Sequence, residues 1–242
     1  MYYKNVIARP FPDPESLVEE VSRIIDHTNL RPEASEKELE KTCREAVDYG
    51  FYACCVPGFF VEKAVKIVDG AAKVVTVAGF PHGNSPRAVK VAEVKAAFEK
   101  GADEVDVVVN ISLVKSGLLE EAVSEVQEIL DVANESGGVL KVILETGYLT
   151  AEEVYRLGRE LARIGVHFLK TSTGFGPRGA TPEDILVMRR AVEGTRTKLK
   201  AAGGIRTGLQ ALFFYLLGVE RIGTSSSLQI VNDLRALKEL LH

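Results

Sequence analysis

Hydrophobic and polar residues alternate along the chain with two different periods. Segments whose apolar residues recur every three or four positions are each followed by a short β-branched run, such as VVTVA (74–78) or VDVVV (105–109). The first period predicts amphipathic helices, and the second predicts strands that are buried on both faces of a parallel sheet. Glycine, which readily ends a helix in a left-handed conformation, stands at seven helix–strand junctions: Gly50, Gly70, Gly101, Gly137, Gly165, Gly194 and Gly218.

The order of these elements predicts an α/β fold, a single (β/α)₈ TIM barrel over residues 1–242. Counting the run IIDHTNL (24–30), there are eight strand candidates, and each is followed by a predicted helix. The helices are expected near 36–49, 60–69, 86–100, 117–135, 150–164, 181–193, 207–217 and 228–241. Residues 1–22 are expected to form an N-terminal arm and a short helix that cover the barrel's N-terminal end. An open doubly wound sheet is the alternative, but no GxGxxG follows the first strand.

Several helix starts carry capping signals. Ser35 and Thr150 each precede a glutamate by three residues, which is the spacing of a capping box. Ser85 and Thr181 each precede a proline, a residue that suits the first position of a helix. We therefore expect these four hydroxyls to cap helices.

Ionisable residues interrupt strands that should be apolar. Asp106 lies in the fourth predicted strand, Lys141 and Glu145 in the fifth, Lys170 in the sixth and Lys200 in the seventh. A single lysine can extend from a strand end to solvent. Three lysines and an aspartate at similar depth instead indicate a functional site, because unpaired buried charges are costly.

The sixth and seventh strands share a phrase, LKTSTG (169–174) and LKAAGG (199–204). Each places its lysine four residues before a glycine, at the end of the strand where barrel enzymes hold their active sites. Neighbouring strands should bring Lys170 and Lys200 together, and mutual repulsion then lowers the pKa of at least one of them. A neutral lysine amine attacks carbonyl groups, so this pair predicts Schiff-base chemistry.

Small residues follow the last two strands. Gly203 and Gly204 follow strand seven, and IGTSSS (222–227) leads from strand eight into the final helix. Close approach of backbone N–H groups and the positive end of a helix dipole suit a phosphate group, and barrel enzymes often bind phosphate at these two loops. The alternative is a serine-rich cap for the last helix.

Other candidates are less specific. Asp26, near the end of strand one, either faces the barrel mouth or caps a helix, and His82 in GFPHGNSP (79–86) is equally consistent with a structural and a catalytic role. The adjacent Cys54 and Cys55 are expected in the core. The loop charges Lys115 and Arg178 receive no role.

Composition excludes several classes of protein. The chain is 46% hydrophobic and 26% charged, which is typical of a folded globular protein, and its net charge of −4 argues against a broad nucleic-acid-binding face. Three cysteines and four scattered histidines match neither a disulfide framework nor a metal-binding motif. The most apolar stretch, ALFFYLLGV (211–219), is about half a membrane span. We therefore expect a soluble, cytoplasmic protein with no membrane or nucleic-acid partner.

The motifs together resemble those of deoxyribose-phosphate aldolase, a family of class I aldolases with the (β/α)₈ fold. The resemblance extends from about Ile24 to the C-terminus. In chain order its motifs are IDHTNL (25–30), TVAGFPHGN (76–84), EVDVVVN (104–110), LKVILETG (140–147), FLKTSTGFG (168–176), KAAGGIRT (200–207) and IGTSSS (222–227).

This resemblance implies reversible cleavage of 2-deoxy-D-ribose 5-phosphate to acetaldehyde and D-glyceraldehyde 3-phosphate, with no metal or organic cofactor and in a homo-oligomer, a dimer or a tetramer. Lys170 would form the Schiff base, Lys200 would perturb it, and Asp106 would be the general acid/base acting through a water. Lys141 and Asp26 would complete the polar network. The residues implied to hold the phosphate or substrate are Thr171, Gly174, Gly203, Gly204, Gly223, Ser225 and Ser226.

The chain also departs from the family pattern. Phe175 stands where some members have a lysine, Arg178 stands where a small residue is more common, and the tail LKELLH (237–242) lacks the tyrosine that some relatives use. Another Schiff-base aldolase or transaldolase, and a non-catalytic sugar-phosphate-binding barrel, are the alternative functions.

Overall fold

Eight short parallel strands, hydrogen bonded in chain order with the last strand paired to the first, enclose the centre of the molecule. The computed structural model describes residues 6–241. The strands are β1 (Ile25–Thr28), β2 (Ala53–Cys55), β3 (Lys73–Ala78), β4 (Glu104–Val108), β5 (Val139–Ile143), β6 (Phe168–Lys170), β7 (Lys198–Ala202) and β8 (Arg221–Thr224). The predicted closed (β/α)₈ barrel is confirmed.

Helices connect the strands and cover the outside of the barrel. They are α1 (Leu17–Ser22), α2 (Glu36–Asp48), α3 (Val61–Val68), α4 (Arg87–Glu99), α5 (Ile111–Lys115), α6 (Leu119–Glu135), α7 (Ala151–Arg163), α8 (Pro182–Val192), α9 (Gly208–Leu216) and α10 (Ser227–Leu240). Turns of 3₁₀ helix lie at Gly58–Phe60 and Thr146–Tyr148. Helix α5 was not predicted, because a helix of five residues is too short to show a period.

Three of the four expected caps are confirmed. The hydroxyls of Ser35, Thr150 and Thr181 each accept the backbone N–H three residues later. The expectation for Ser85 is wrong: Pro86 itself occupies the capping position with extended backbone (ψ 143°), so Ser85 lies one residue too early. All seven junction glycines have positive φ, as expected for residues that end helices.

The inside of the barrel divides into an apolar and a charged part. Ala53 and Cys55 of β2 and Val75 of β3 form a small buried apolar cluster. Cys54 faces the opposite way, into the main core between the strands and the helices. Both cysteines are therefore buried in the core, as predicted, and the remaining strands supply the charged residues of the interior.

Residues 6–22 pack at the N-terminal end of the barrel, where the sequence predicts an arm and a short helix. The backbone N–H groups of Ala8 and Arg9 donate to the carbonyl of Leu216, at the end of α9 that leads into β8. Arg189 donates to the carbonyl of Val6 at 2.7 Å. Residues 1–5 of the predicted arm lie outside the described part of the chain. None of the helices within residues 6–241 combines the length and apolar character that a membrane span requires.

Candidate active site

Seven buried ionisable side chains from six strands meet inside the barrel. No member of this cluster is more than 4% exposed. The cluster comprises Asp26 (β1), Glu104 and Asp106 (β4), Lys141 (β5), Lys170 (β6), Lys200 (β7) and Arg221 (β8). Glu104 and Arg221 begin their strands and Lys170 ends its strand, so the cluster extends from the N-terminal end of the barrel towards its C-terminal end.

Asp106 lies at the centre of the cluster and contacts three lysines. Its Oδ1 atom is 2.7 Å from Lys141 Nζ, and its Oδ2 atom is 2.8 Å from the Nζ atoms of both Lys170 and Lys200. Burial alone would raise the pKa of Asp106, but the three ammonium groups hold it well below its ordinary value. The three residues predicted to be catalytic are therefore in direct contact.

Asp26 faces the barrel interior rather than a helix. Its Oδ2 atom accepts a hydrogen bond from Lys200, and its Oδ1 atom lies 2.9 Å from the Arg221 guanidinium. Burial opposes ionisation of Asp26, but Lys200 and Arg221 lower its pKa to about 2. In the same way, burial opposes the charge on Lys200, but Asp106 and Asp26 raise the pKa of Lys200 above its ordinary value.

Glu104 and Arg221 complete the cluster and were not predicted from the sequence. Two guanidinium nitrogens of Arg221 bind Glu104 at 3.0 and 3.2 Å, and the guanidinium lies 3.3 Å from the centre of the Tyr52 ring. Glu104 also contacts Lys141 at 2.7 Å. The signal for Glu104 was available, since it lies two residues before Asp106 and alternate strand residues share a face.

The charges distinguish the two neighbouring lysines. Among residues 6–241, the cluster holds four basic side chains against three carboxylates, so complete pairing leaves one cation in excess. Within the described part of the chain, the single ion pair of Lys170 is with Asp106 Oδ2, which it shares with Lys200. Burial lowers the pKa of Lys170; Asp106 opposes this shift and the charge of Lys200 adds to it. The predicted lowering of one lysine pKa is confirmed, and the lysine is Lys170.

A cavity of about 570 Å³ opens at the C-terminal end of the barrel, and Lys170 reaches its wall. The predicted phosphate residues that line it are Gly174, Gly203, Gly204, Gly223 and Ser225. Gly203 has φ +88°, and a side chain there would come within 3.1 Å of the Cα atom of Gly179. A side chain at Gly223 would come within 3.0 Å of Lys200 Cε, so this glycine leaves room for the lysine.

Two of the predicted binding residues lie outside the cavity lining. Thr171 is fully buried, and its hydroxyl donates to the carbonyl and accepts the N–H of Ala202, both at 3.0 Å. Thr171 therefore joins β6 to β7. Ser226 precedes α10, makes no side-chain cap, and donates its N–H to Thr224 Oγ1 at 2.9 Å. The serine-rich segment thus does not act as the simple side-chain cap that was the alternative reading of IGTSSS.

Glu145 lies beyond the end of the fifth strand, although the sequence predicts it within that strand, and its side chain connects two loops. Strand β5 ends at Ile143, and Glu145 follows it with a left-handed backbone (φ 52°). Its buried carboxylate accepts the N–H of Thr173 at 3.1 Å and also the Thr173 hydroxyl. Since Thr173 lines the cavity, Glu145 holds the loop that follows Lys170.

The remaining candidates have structural or peripheral positions. Arg178 binds Asp184 at 2.6 and 2.9 Å, which fixes the loop before α8, and Lys115 pairs with Glu153 on the surface. His82 is exposed and lies outside the cavity lining. Within residues 6–241, no group of three or more His, Cys, Asp or Glu residues is arranged to hold a metal ion.

Comparison with known proteins connects this site to a family. A family model described as DeoC/LacD family aldolase matches residues 21–213. A deoxyribose-phosphate aldolase of Thermococcus gammatolerans is 45% identical over 219 residues, which cover 89% of this chain and 97% of the relative. Among solved structures, the aldolase QR15 has a TM-score of 0.86 at 38% identity and covers 92% of this chain and 99% of its own. The deoxyribose phosphate aldolase of Aeropyrum pernix, whose structure is described as a unique tetramer, has a TM-score of 0.84 at 30% identity and covers 93% and 100%. This chain, with its lysine pair beside a buried aspartate, belongs to the DeoC/LacD family of aldolases.

Proposed function

We propose that this aldolase cleaves 2-deoxy-D-ribose 5-phosphate reversibly to acetaldehyde and D-glyceraldehyde 3-phosphate through a Schiff base on Lys170. The observation that carries the proposal is the position of Lys170, the cluster lysine with the lowered pKa and a place in the cavity wall. The names of its relatives support the choice of substrate.

The covalent steps follow from this position. The neutral Lys170 amine adds to C1 of the open-chain aldehyde, and loss of water gives an imine, which is protonated. As the C3 hydroxyl loses its proton, the C2–C3 bond breaks and its electron pair moves into the imine, which releases glyceraldehyde 3-phosphate and leaves an enamine. Protonation at C2 and hydrolysis then release acetaldehyde and restore the amine.

Asp106 and Lys200 are proposed to move the protons. One oxygen of Asp106 contacts both lysines, so this carboxylate connects the reacting nitrogen to a charged ammonium group. A water molecule between Asp106 and the substrate would exchange protons at the C3 hydroxyl and at the enamine carbon. Lys141 and Asp26 keep Asp106 and Lys200 charged and in place.

The phosphate is proposed to bind between the loops after β6, β7 and β8 and the start of α10. Gly174, Gly203 and Ser225 line the cavity there, where backbone N–H groups can approach a ligand closely. Phe175 supplies no charge, but Arg206 and Lys41 line the same cavity. The cavity-lining Asn29 also has a buried Oδ1 atom without a hydrogen-bond partner among residues 6–241, as expected where a polar ligand or water binds.

Borohydride trapping tests the covalent step. The protein is incubated with acetaldehyde, reduced with sodium borohydride and mapped by peptide mass spectrometry, with Lys170→Ala as the negative control and Lys198→Ala, an exposed lysine at the start of β7, as the matched control. We expect the adduct on Lys170 in wild type and in Lys198→Ala. An adduct on another lysine would contradict the assignment, and the absence of any adduct would favour a non-catalytic sugar-phosphate-binding barrel.

Turnover assays test the substrate. Release of glyceraldehyde 3-phosphate from 2-deoxyribose 5-phosphate should proceed unchanged in EDTA. Trapping without this turnover would indicate another Schiff-base aldolase or a transaldolase, and loss of turnover in EDTA would indicate a metal-dependent enzyme.

The assembly and location are proposed on more general grounds. Leu209 and Phe213 lie one helical turn apart on α9 and are 67% and 41% exposed, which suits an interface between copies in a homo-oligomer, a dimer or a tetramer. The Aeropyrum pernix relative is described as tetrameric. Light scattering on wild type and Phe213→Ser measures the assembly; a monomeric wild type would contradict the proposed homo-oligomer.

The buried thiols of Cys43, Cys54 and Cys55 form no disulfide, which suits a reducing cytoplasm.

A further inference from the structure

A chain of three hydrogen-bonded side chains connects α2 to the start of α10, outside the barrel wall. His27 Nδ1 lies 2.8 Å from Ser227 Oγ, and His27 Nε2 lies 2.9 Å from Glu45 Oε2. His27 follows Asp26 in β1, so strand alternation turns its ring away from the charged cluster and towards the helices. The mechanism proposed above uses none of these three residues.

The chemistry of the three groups fixes the direction of both hydrogen bonds. Burial lowers the pKa of His27, so at neutral pH its imidazole is uncharged, with one donor and one acceptor. The Glu45 carboxylate can only accept, so Nε2–H donates to Glu45, and Nδ1 then accepts the hydroxyl proton of Ser227. Phe51 packs against the imidazole with the ring centres 5.3 Å apart and holds it in this orientation.

His27 and Glu45 themselves line the cavity, and Ser227 connects them to the turn that follows β8. Ser227 is the first residue of α10 and follows the cavity-lining Ser225 by two residues. At the other end of the same turn, the Thr224 hydroxyl donates to the carbonyl of Ile205, in the loop after β7, at 2.6 Å. The turn at 224–227 is therefore held at one end by the loop after β7 and at the other by His27.

The order serine, histidine, carboxylate is also that of a hydrolase triad. Ser227 is fully buried and does not line the cavity, so its oxygen is not placed to attack a substrate. The arrangement fits a support for the turn rather than a second nucleophile.

We propose that His27 is a positioning residue for the phosphate subsite: by accepting the Ser227 hydroxyl and donating to Glu45, it fixes the turn between β8 and α10 in the geometry that binds the substrate phosphate. This inference rests on the proposed function. It makes His27 a determinant of the preference for phosphorylated over unphosphorylated deoxyribose.

The test compares 2-deoxyribose 5-phosphate with 2-deoxyribose in wild type and in His27→Phe, which keeps an aromatic ring beside Phe51 and removes both hydrogen bonds. We expect kcat/KM for the phosphorylated sugar to fall about tenfold or more, mainly through KM, because the loss of a buried hydrogen bond is of this size. Activity on 2-deoxyribose should fall by a much smaller factor. The inhibition constant of inorganic phosphate should rise in parallel.

Three further variants and one control separate positioning from folding. Ser227→Ala, a small change, should shift the substrate preference in the same direction as His27→Phe. Glu45→Gln keeps an acceptor for Nε2–H and should retain the preference, whereas Glu45→Ala should lose it. His167→Asn is the matched control: its Nδ1 accepts the N–H of Leu140 at 3.1 Å, and it precedes β6 at the opposite end of the barrel.

The outcomes are distinguishable. An equal loss on both sugars, in His27→Phe and Ser227→Ala alike, or no change in the phosphate inhibition constant, would overturn the positioning role. If wild type itself neither traps acetaldehyde on Lys170 nor cleaves either sugar, the proposed function fails. If wild type cleaves both sugars and the variants keep its preference, only the role of His27 fails.

Discussion

Lys170 and Lys200 are register partners on β6 and β7, and both donate to the same oxygen, Oδ2 of Asp106, at 2.8 Å. The two lysines nevertheless differ in electrostatics. Lys200 has a second carboxylate, Asp26, which raises its pKa, whereas burial lowers the pKa of Lys170. One barrel interior therefore holds a charged lysine beside a lysine that gives up its proton more readily. This difference is the reason for proposing Lys170 as the nucleophile.

Replacing Asp106 should separate imine formation from turnover. In Asp106→Asn, the carboxylate that stabilises the Lys170 ammonium is gone, so the Lys170 amine remains available. Proton transfer is lost, and we expect kcat to fall by about 10²–10⁴. Borohydride trapping of acetaldehyde on Lys170 should persist. Loss of trapping together with turnover in a folded variant would show that Asp106 is needed to form the imine.

Replacing Lys200 should shift the pH dependence of imine trapping at Lys170. The positive charge of Lys200 lowers the pKa of Lys170, so Lys200→Met should raise that pKa, and trapping should begin at higher pH. The measurement is the rate of adduct formation on Lys170 against pH, with Lys198→Met as the control. An unchanged profile would mean that the neighbouring charge does not tune Lys170.

Breaking the Arg221–Glu104 pair, at the N-terminal end of the cluster, should lower the stability of the fold more than it lowers the catalytic rate. Arg221→Met removes the bidentate partner of Glu104, which keeps its contact with Lys141, and we expect the free energy of unfolding to fall by about 1–3 kcal/mol. Denaturant unfolding measures the loss. The control is Arg163→Met, which breaks an exposed pair with Glu160 and should leave the midpoint almost unchanged. Equal midpoints for the two variants would contradict a structural role for Glu104 and Arg221.

The aspartates of the cluster should make the fold sensitive to acid. The pKa of Asp26 is about 2 in the fold against an ordinary 3.8, so its contribution to stability is complete above pH 3.8 and is lost as pH falls towards 2. Asp106, whose pKa is also lowered, acts in the same direction. We expect the thermal unfolding temperature, measured from pH 5 down to pH 2, to fall more steeply in wild type than in Asp26→Asn, because the variant lacks one of the two titrating aspartates. Parallel curves would contradict the lowered pKa.

The sequence was sufficient for the parts of the site that local pattern determines. Strand spacing and junction glycines predicted the barrel, and the shared phrase around Lys170 and Lys200 predicted their proximity. The cavity position of Gly174, Gly203 and Ser225 follows from the same placement of loops at one end of the barrel.

Other parts depend on where each strand ends and which way each side chain turns. Thr171 and Lys170 are adjacent, but alternation sends one side chain to Ala202 and the other into the interior. Glu145 was placed in a strand that ends two residues earlier, because an apolar run does not mark its own last residue. Arg221 binds Asp26, 195 residues away in the sequence, and His27 binds Ser227, 200 residues away. Such contacts form only when the barrel closes.

The most direct test of the central claim is the pH dependence of imine trapping at Lys170 in wild type, read residue by residue by peptide mass mapping. The nucleophile is predicted to be Lys170, with a trapping midpoint clearly below the ordinary lysine pKa of 10.5 and with Lys200 unlabelled throughout. A midpoint at or above 10.5, or an adduct that appears first on Lys200, would contradict the assignment.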